Sequence, residues 1–197
     1  LFSAFTRLTL YEDAYGFTRL RTFTHVFIIW TGVLLIALGI LEITKKMKRL
    51  PVVLIVSLIG FGLAINFLNV DRFIVRHNIR RAQTQSAAIT RDRLDTAYLS
   101  ELSFDSIPLL RDYYLSDEVQ SDLREALGAI LACQGANLNP PQQTPWTSWH
   151  FARSKAISQL EDLETNLAGY RVYQSENPWE WFVEINDNTF PCNTTWD

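Results

Sequence analysis

The 197-residue chain is poor in the groups that most often carry chemistry, with two cysteines and three histidines. His25, His77 and His150 are far apart, and none sits in a His-x-x-x-His or Cys-x-x-Cys spacing, so no metal site is indicated. No Walker loop, dinucleotide fingerprint or nucleophile elbow occurs, which removes the commonest nucleotide-binding and hydrolytic signatures. There is no internal repeat and no low-complexity tract. Carboxylates are plentiful late in the chain, but Glu161, Asp162 and Glu164 fall where a helix would present a solvated face. We therefore assign no catalytic residue and no cofactor, and read the chain as non-enzymatic.

Charge is also missing, and in a pattern that carries more information. No Asp, Glu, Lys or Arg occurs over the 20 residues from Thr22 to Leu41, or over the 21 from Leu50 to Val70. Each run would make a helix about 30 Å long at roughly 1.5 Å per residue, which matches the hydrocarbon core of a bilayer. Both read as transmembrane helices, at about 23–43 and 51–70; the alternative is a buried helix pair in a large soluble protein. The chain begins with Leu1, and its first apolar run is too long for a signal peptide. We expect a C-terminal part of a longer membrane protein.

TKKMKRLP joins the two runs with four positive charges and no acid, as suits a short cytoplasmic loop, and Pro51 suits the first turn of the second helix. An antiparallel hairpin follows. Gly32, Ala37 and Gly39 on one span and Ser57, Gly60 and Ala64 on the other either let the backbones approach closely or reflect ordinary glycine tolerance in membrane helices. Asn66 is the one polar candidate deep in the second span. The four arginines of Asp71 to Arg81 argue for the opposite sidedness, but the Lys-rich loop is short and acid-free. We place it inside, and the C-terminal domain outside.

Before the first span, Leu10 to Arg21 reads LYEDAYGFTRLR. Tyr11, Tyr15 and Phe17 suit headgroup depth, Glu12, Asp13, Arg19 and Arg21 can reach water or pair with each other, and Gly16 permits a bend into the span. A hairpin returns this segment and the region after the second span to one side of the membrane. Two readings stay open. One is an interfacial anchor. The other is a site in which Tyr15, Thr18, Arg19 and Arg21, with Arg72, Arg76, Asn78, Arg80 and Arg81, bind an anionic lipid or a partner's acidic loop.

LTLYEDAYGFTRLRTF before one span, LNVDRFIVRHNIRRA at the end of the next, and then LDTAYLSELSFDSIPLL together resemble an uncharacterised bacterial family of polytopic membrane proteins. It is the domain-of-unknown-function family numbered four-one-seven-three. The family's Y-x-x-A-Y-G-x-T-x-x-R-like segment is met by Tyr11, Ala14, Tyr15, Gly16, Thr18, Arg19 and Arg21. Its Asn-Pro-Asp and Arg-x-Asn patterns are met by Asn69, Asp71, Arg76 and Asn78, with Val70 standing where proline is usual. The resemblance runs from Leu8 to Leu110. It implies a bacterial membrane location and no assigned reaction.

Beyond the spans the composition changes. An arginine-rich collar at 71–93 carries six arginines against two acids, and residues 94–197 carry 16 acids against five Lys/Arg, a net of −11. So acidic a domain disfavours nucleic acid and anionic membrane surfaces as partners. The spacing of Val119, Leu123, Leu127, Ile130 and Leu131 predicts a helix from Asp117 to Cys133, with Asp117 and Gln120 as a capping box and Gly135 as its stop. Ala152, Ala156, Ile157, Leu160, Leu163 and Leu167 predict another from about Ser148 to Tyr170, with a proline-bearing loop, GANLNPPQQTP, between the two. LDTAYLSELS and IPLLRDYYL suggest shorter helices on either side of Phe104 to Pro108. YRVYQSENPWEWFVEINDNTF suggests a two-stranded hairpin turning at Glu176 to Pro178.

Cys133 and Cys192 are either a disulfide, closing a loop that the chain-entropy model values at about 4 kcal/mol, or unrelated thiols. Asn193-Thr194-Thr195 is a glycosylation-type sequon of the kind common by chance. Trp146, Trp149, Trp179, Trp181 and Trp196 either pack the domain's own core or meet another subunit. The expected fold is thus mostly α: an interfacial segment at 1–22, a two-helix transmembrane hairpin at 23–70, the collar, and an α-helical extramembrane domain at 94–197 ending in a small β-hairpin. We expect a bacterial membrane accessory or scaffold subunit whose partners are other membrane subunits and the bilayer. The alternative is a sensor or transport-related protein that binds an anionic lipid or solute at the collar.

Overall fold

In the computed structural model, which describes residues 1–84, 94–138, 151–177 and 179–193, the chain divides into two units, 1–74 and 75–197. The first is built from α1 (Phe2–Tyr15), α2 (Arg19–Ile43), α3 (Leu50–Phe67) and the start of α4 (Val70–Thr84). Gly16 ends α1 with φ at 82°, a left-handed value open to glycine without strain, and the chain is extended again at Thr18, where α2 begins. The expected bend is therefore present. Lys45, at φ 54°, terminates α2, a short 3-10 turn carries Lys48 and Arg49, and α3 starts with Pro51 in its first turn.

Arg19–Ile43 and Met47–Ile65 are long and apolar enough to cross a membrane. Only 6% of the most apolar window of the first, and 0% of the second, is buried. A core helix of a soluble protein would be mostly covered, so this exposure is compatible with a membrane protein. The seam between them centres on Trp30. Its Nε1 donates to Ser57 Oγ at 2.9 Å, and its ring lies so near Gly60 that a Cβ there would stand 3.0 Å away. Ser57 and Gly60 thus receive an indole, and Gly32 faces Leu1, just before α1.

The second unit is organised around α7 (Ser121–Leu138), which is buried on nearly all sides through Leu123, Leu127, Ile130, Leu131, Cys133 and Gln134. A helix surrounded by its own domain carries apolar residues all round. α5 (Thr96–Ser100), α6 (Ile107–Leu115) and α8 (Phe151–Glu161) pack against it, together with a three-stranded antiparallel sheet. Asp95 caps α5 by accepting from Tyr98 N at 2.9 Å. Gln134, fully buried, donates through Nε2 to Leu99 O, Leu102 O and Ser106 Oγ, which fastens α7 to the α5–α6 connection. Gly128 is required by Tyr170, whose hydroxyl occupies the place a Cβ would take. Burial, and then the neighbouring Tyr114, push the Tyr170 phenol well above its usual range.

α7 departs from expectation at both ends. It begins at Ser121 because residues 116–120 form a turn that buries Val119, with Arg124 Nη2 donating to Ser116 O and Val119 O. It runs through Gly135 because Leu138 is buried and Asn137 donates to Asn193 O, contacts that outweigh glycine's helix penalty of about 1 kcal/mol. The helix expected from Ser148 to Tyr170 is broken into α8 and α9 (Glu164–Leu167) where Leu163 enters the core beside the Arg111–Asp162 ion pair. The proline-bearing part of the loop before it, with Trp146, Trp149 and His150, lies outside the described residues, as do 85–93 of the collar and Trp196.

β1 (Arg171–Gln174) and β2 (Trp181–Ile185) form the expected hairpin, turning in the region of Glu176. β3 (Asn188–Cys192) adds a third strand through a two-residue turn, Asn186-Asp187, with φ at 47° and 65°. Positive φ at both positions marks a type I′ turn, the tight connection that matches strand twist. Asn186 and Asn188 both donate to the Glu125 carboxylate on α7, at 3.0 and 2.8 Å. Cys133 and Cys192 are disulfide-bonded, with Cα atoms 5.9 Å apart, so the last strand is tied covalently to the central helix. We predict that Cys192→Ser lowers the unfolding free energy of this unit by about 2–5 kcal/mol, measured by denaturant titration, and that a reducing agent does the same to the native protein.

Candidate functional site

The polar residues of the first unit converge where α1, the start of α2 and the α3–α4 turn meet. Asn69 Oδ1 accepts from Arg72 N at 3.1 Å and so caps α4, while Asp71 stands in its first turn, where an acid complements the helix dipole. The turn thus forms with Val70 where proline would be usual. Arg19, 52 residues earlier, grips Asp71 with both prongs: Nε donates to Oδ1 at 2.8 Å and Nη2 to Oδ2 at 2.6 Å. The Asp71 side chain is 10% exposed and that of Arg19 43%. Such a fork fixes orientation as well as distance.

Arg21 turns the other way. Its Nη1 donates to Gly16 O at 2.7 Å, closing the bend, and its guanidinium stands 5.9 Å from the Tyr15 ring centroid. Thr18 O accepts from Thr22 N and Thr22 Oγ1 at the start of α2. Arg72 is exposed; further along α4, Arg76 and Arg80 are exposed one turn apart, whereas Asn78 is buried and Arg81 is half-buried. Tyr15, Thr18, Arg19, Arg21 and Arg72 lie in the first unit, and Arg76, Asn78, Arg80 and Arg81 in the second.

One pair escaped the sequence reading altogether. Glu12, which was expected to reach water or pair with an arginine, is buried, its side chain 2% exposed, and Oε1 lies 2.9 Å from Nδ1 of His25, itself 16% exposed. His25 Nε2 is buried with no hydrogen-bond partner among the described residues. Phe5 packs edge-on to the imidazole with centroids 4.8 Å apart. Phe5, Thr9 and Glu12 recur at helical spacing on α1, as do Thr22, His25, Val26 and Ile29 on α2, and with the α3–α4 turn they line a cavity of about 360 Å³. The only available signal was that spacing, which places Glu12 on the same face as Phe5. The second unit holds a larger cavity of about 560 Å³ between α7, α8 and β1, lined mostly by Leu, Ile, Ala and Val with Glu161 and Glu164 among them.

Losing Arg19 would leave the little-exposed Asp71 carboxylate unpaired. We predict that Arg19→Ala destabilises the first unit by about 1–3 kcal/mol and that Arg19→Lys recovers only part, because an ammonium cannot make the fork. Arg19→Ala combined with Asp71→Asn should cost clearly less than the sum of the singles, read by thermal unfolding in detergent.

Comparison with curated proteins and with solved structures gave no match. A family model does match, over residues 1–113, and so takes in the whole of the first unit and the second as far as α6. It bears the number 4153, where the motif resemblance indicated four-one-seven-three, and both are domains of unknown function. With more than half of its length in that match, the chain belongs to the family described as Domain of unknown function (DUF4153).

Proposed function

We propose that this protein is an integral membrane accessory or scaffold subunit of a bacterial cell membrane, docking by its hairpin against other spans and meeting partner proteins through its acidic extramembrane domain. The observation that carries this reading is the exposure of both spans, which leaves nearly all their apolar side chains for lipid or other helices. Within those faces, Gly39 has nothing among the described residues within 4 Å of where a Cβ would lie, which leaves room for the close approach of another helix. The Cys133–Cys192 bridge favours an oxidising compartment for the second unit, in agreement with a Lys-rich loop on the cytoplasmic side. Trp179, exposed at the β1–β2 turn, is a candidate contact for a partner.

A second reading, an anionic-lipid or solute sensor at the collar, is favoured by Arg76 and Arg80, exposed one turn apart on α4. Arg19 and Arg21 contribute less to it, since each is already engaged.

Purified from native membranes in mild detergent, the protein should run on a native gel as a large assembly of fixed stoichiometry, with partners named by mass spectrometry. Gly39→Leu should lower partner recovery about tenfold while the protein stays in the membrane. A lone monomer or homodimer would sink the subunit reading and favour the sensor. For sidedness, Trp179→Cys in intact cells should react with a membrane-impermeant maleimide, and Lys46→Cys should react only after the membrane is opened; the reverse pattern would invert the topology.

A further inference from the structure

We propose that the cavity between α1, α2 and the α3–α4 turn is a lateral slot for one acyl chain of a bilayer phospholipid. The polar residues in its lining are engaged with the protein itself: Thr9 Oγ1 donates to Phe5 O at 2.9 Å, Thr22 Oγ1 donates to Thr18 O at 3.0 Å, Asn69 Oδ1 accepts from Arg72 N, and Glu12 is paired with His25. What the wall offers an occupant is hydrocarbon, from Phe5, Phe17, Val26, Ile29, Leu68 and Phe73. Phe17 and Phe73 meet edge to face with ring centroids 5.5 Å apart, so the bend after α1 and the start of α4 form one continuous part of that wall. Such a site selects an apolar body and asks nothing of a polar end.

The rim shows from which side that body enters. Phe5, Ile29, Leu68 and Phe73 line the cavity and are nevertheless 39–56% exposed. Ile29 also begins a row at helical spacing, Ile29, Val33, Ile36 and Ile40, each more than half exposed, so the cavity wall continues onto the face that the span offers to lipid. An apolar cavity of roughly 150 Å³ stays dry and takes benzene, and this one, at about 360 Å³, holds more than one ring. An α-helix, about 10–12 Å across with its side chains, is too wide for that volume, whereas an extended hydrocarbon chain is not. A phospholipid brings such a chain while its headgroup stays outside the slot, at the membrane surface.

The proposal rests on the membrane reading of the spans, which an alkaline carbonate wash tests separately: release of the protein from the pellet would sink both, whereas a pelleted protein that fails the labelling test sinks this proposal alone. The labelling test uses the full chain in phosphatidylcholine nanodiscs doped with a phosphatidylcholine that carries a diazirine midway along one acyl chain. After irradiation, Phe5, Thr9, Val26 and Ile29 should be labelled several-fold more than Leu35 and Ile55, which face lipid on the open surface of the spans. Val26→Trp and Thr9→Trp fill the cavity from opposite walls, and each should cut that labelling about tenfold while leaving Leu35 and Ile55 unchanged. Two fillings from different helices keep the test decisive if one variant fails to fold. Labelling spread evenly over all six positions would overturn the proposal. So would cavity positions labelled less than Leu35 and Ile55, the mark of a protein segment seated there, or stronger cavity labelling by the matching diazirine fatty acid at equal mole fraction.

Discussion

The forked contact between Arg19 and Asp71 is the constraint on which the first unit depends. Two antiparallel spans can slide along each other and rotate at small cost when both are covered by the same apolar surroundings, because hydrocarbon supplies no hydrophobic force to hold them in register. Trp30 reaching Ser57 and Gly60 sets the register in the middle of the seam. The guanidinium–carboxylate fork sets it at the end, where α2 begins and α4 starts. A point charge would fix only a separation, whereas two parallel N–H···O bonds also fix an angle. Asp71 itself is held by the first turn of α4, which Asn69 caps, so the angle of the turn passes to the base of α2. Motif residues some fifty positions apart are thereby explained as parts of one joint.

Much of this fold could be read from the sequence because its strongest determinants are local or purely compositional. Long uncharged runs, a basic loop and Gly16 before a span each act over a few residues, and α2, α3 and the bend follow. The two short helices α5 and α6 and the β1–β2 turn were likewise carried by nearby signals. Where expectation and structure part, a long-range contact decides. Gly135 reads as a stop until Asn193 and a buried Leu138 hold the last turn in place. Asp117 and Gln120 read as a cap until Val119 is drawn into the core and Arg124 closes the turn over it. The third strand was hidden because Asn186-Asp187 is a weaker turn signal than Asn-Gly, and its conformation is secured by Glu125 from 61 residues away.

The candidate site was only half visible for the same reason. Arg19, Arg21 and Asp71 stand out in the sequence as charges at a membrane edge, and the topology of a hairpin brings the two ends together. Glu12 and His25 do not stand out, since an acid in a polar segment reads as solvated and a lone histidine in an apolar run reads as tolerated. Their meaning appears only when α1 folds back on α2 and the rows Phe5–Thr9–Glu12 and Thr22–His25/Val26–Ile29 face one cavity.

Burial changes what that pair can be. Taking a carboxylate out of water costs several kcal/mol unless partners compensate it, and the His25 ring stands beside Glu12 at 2.9 Å. Removing one partner alone would leave the other uncompensated in apolar surroundings, so Glu12 and His25 act as a unit in holding α1 against α2.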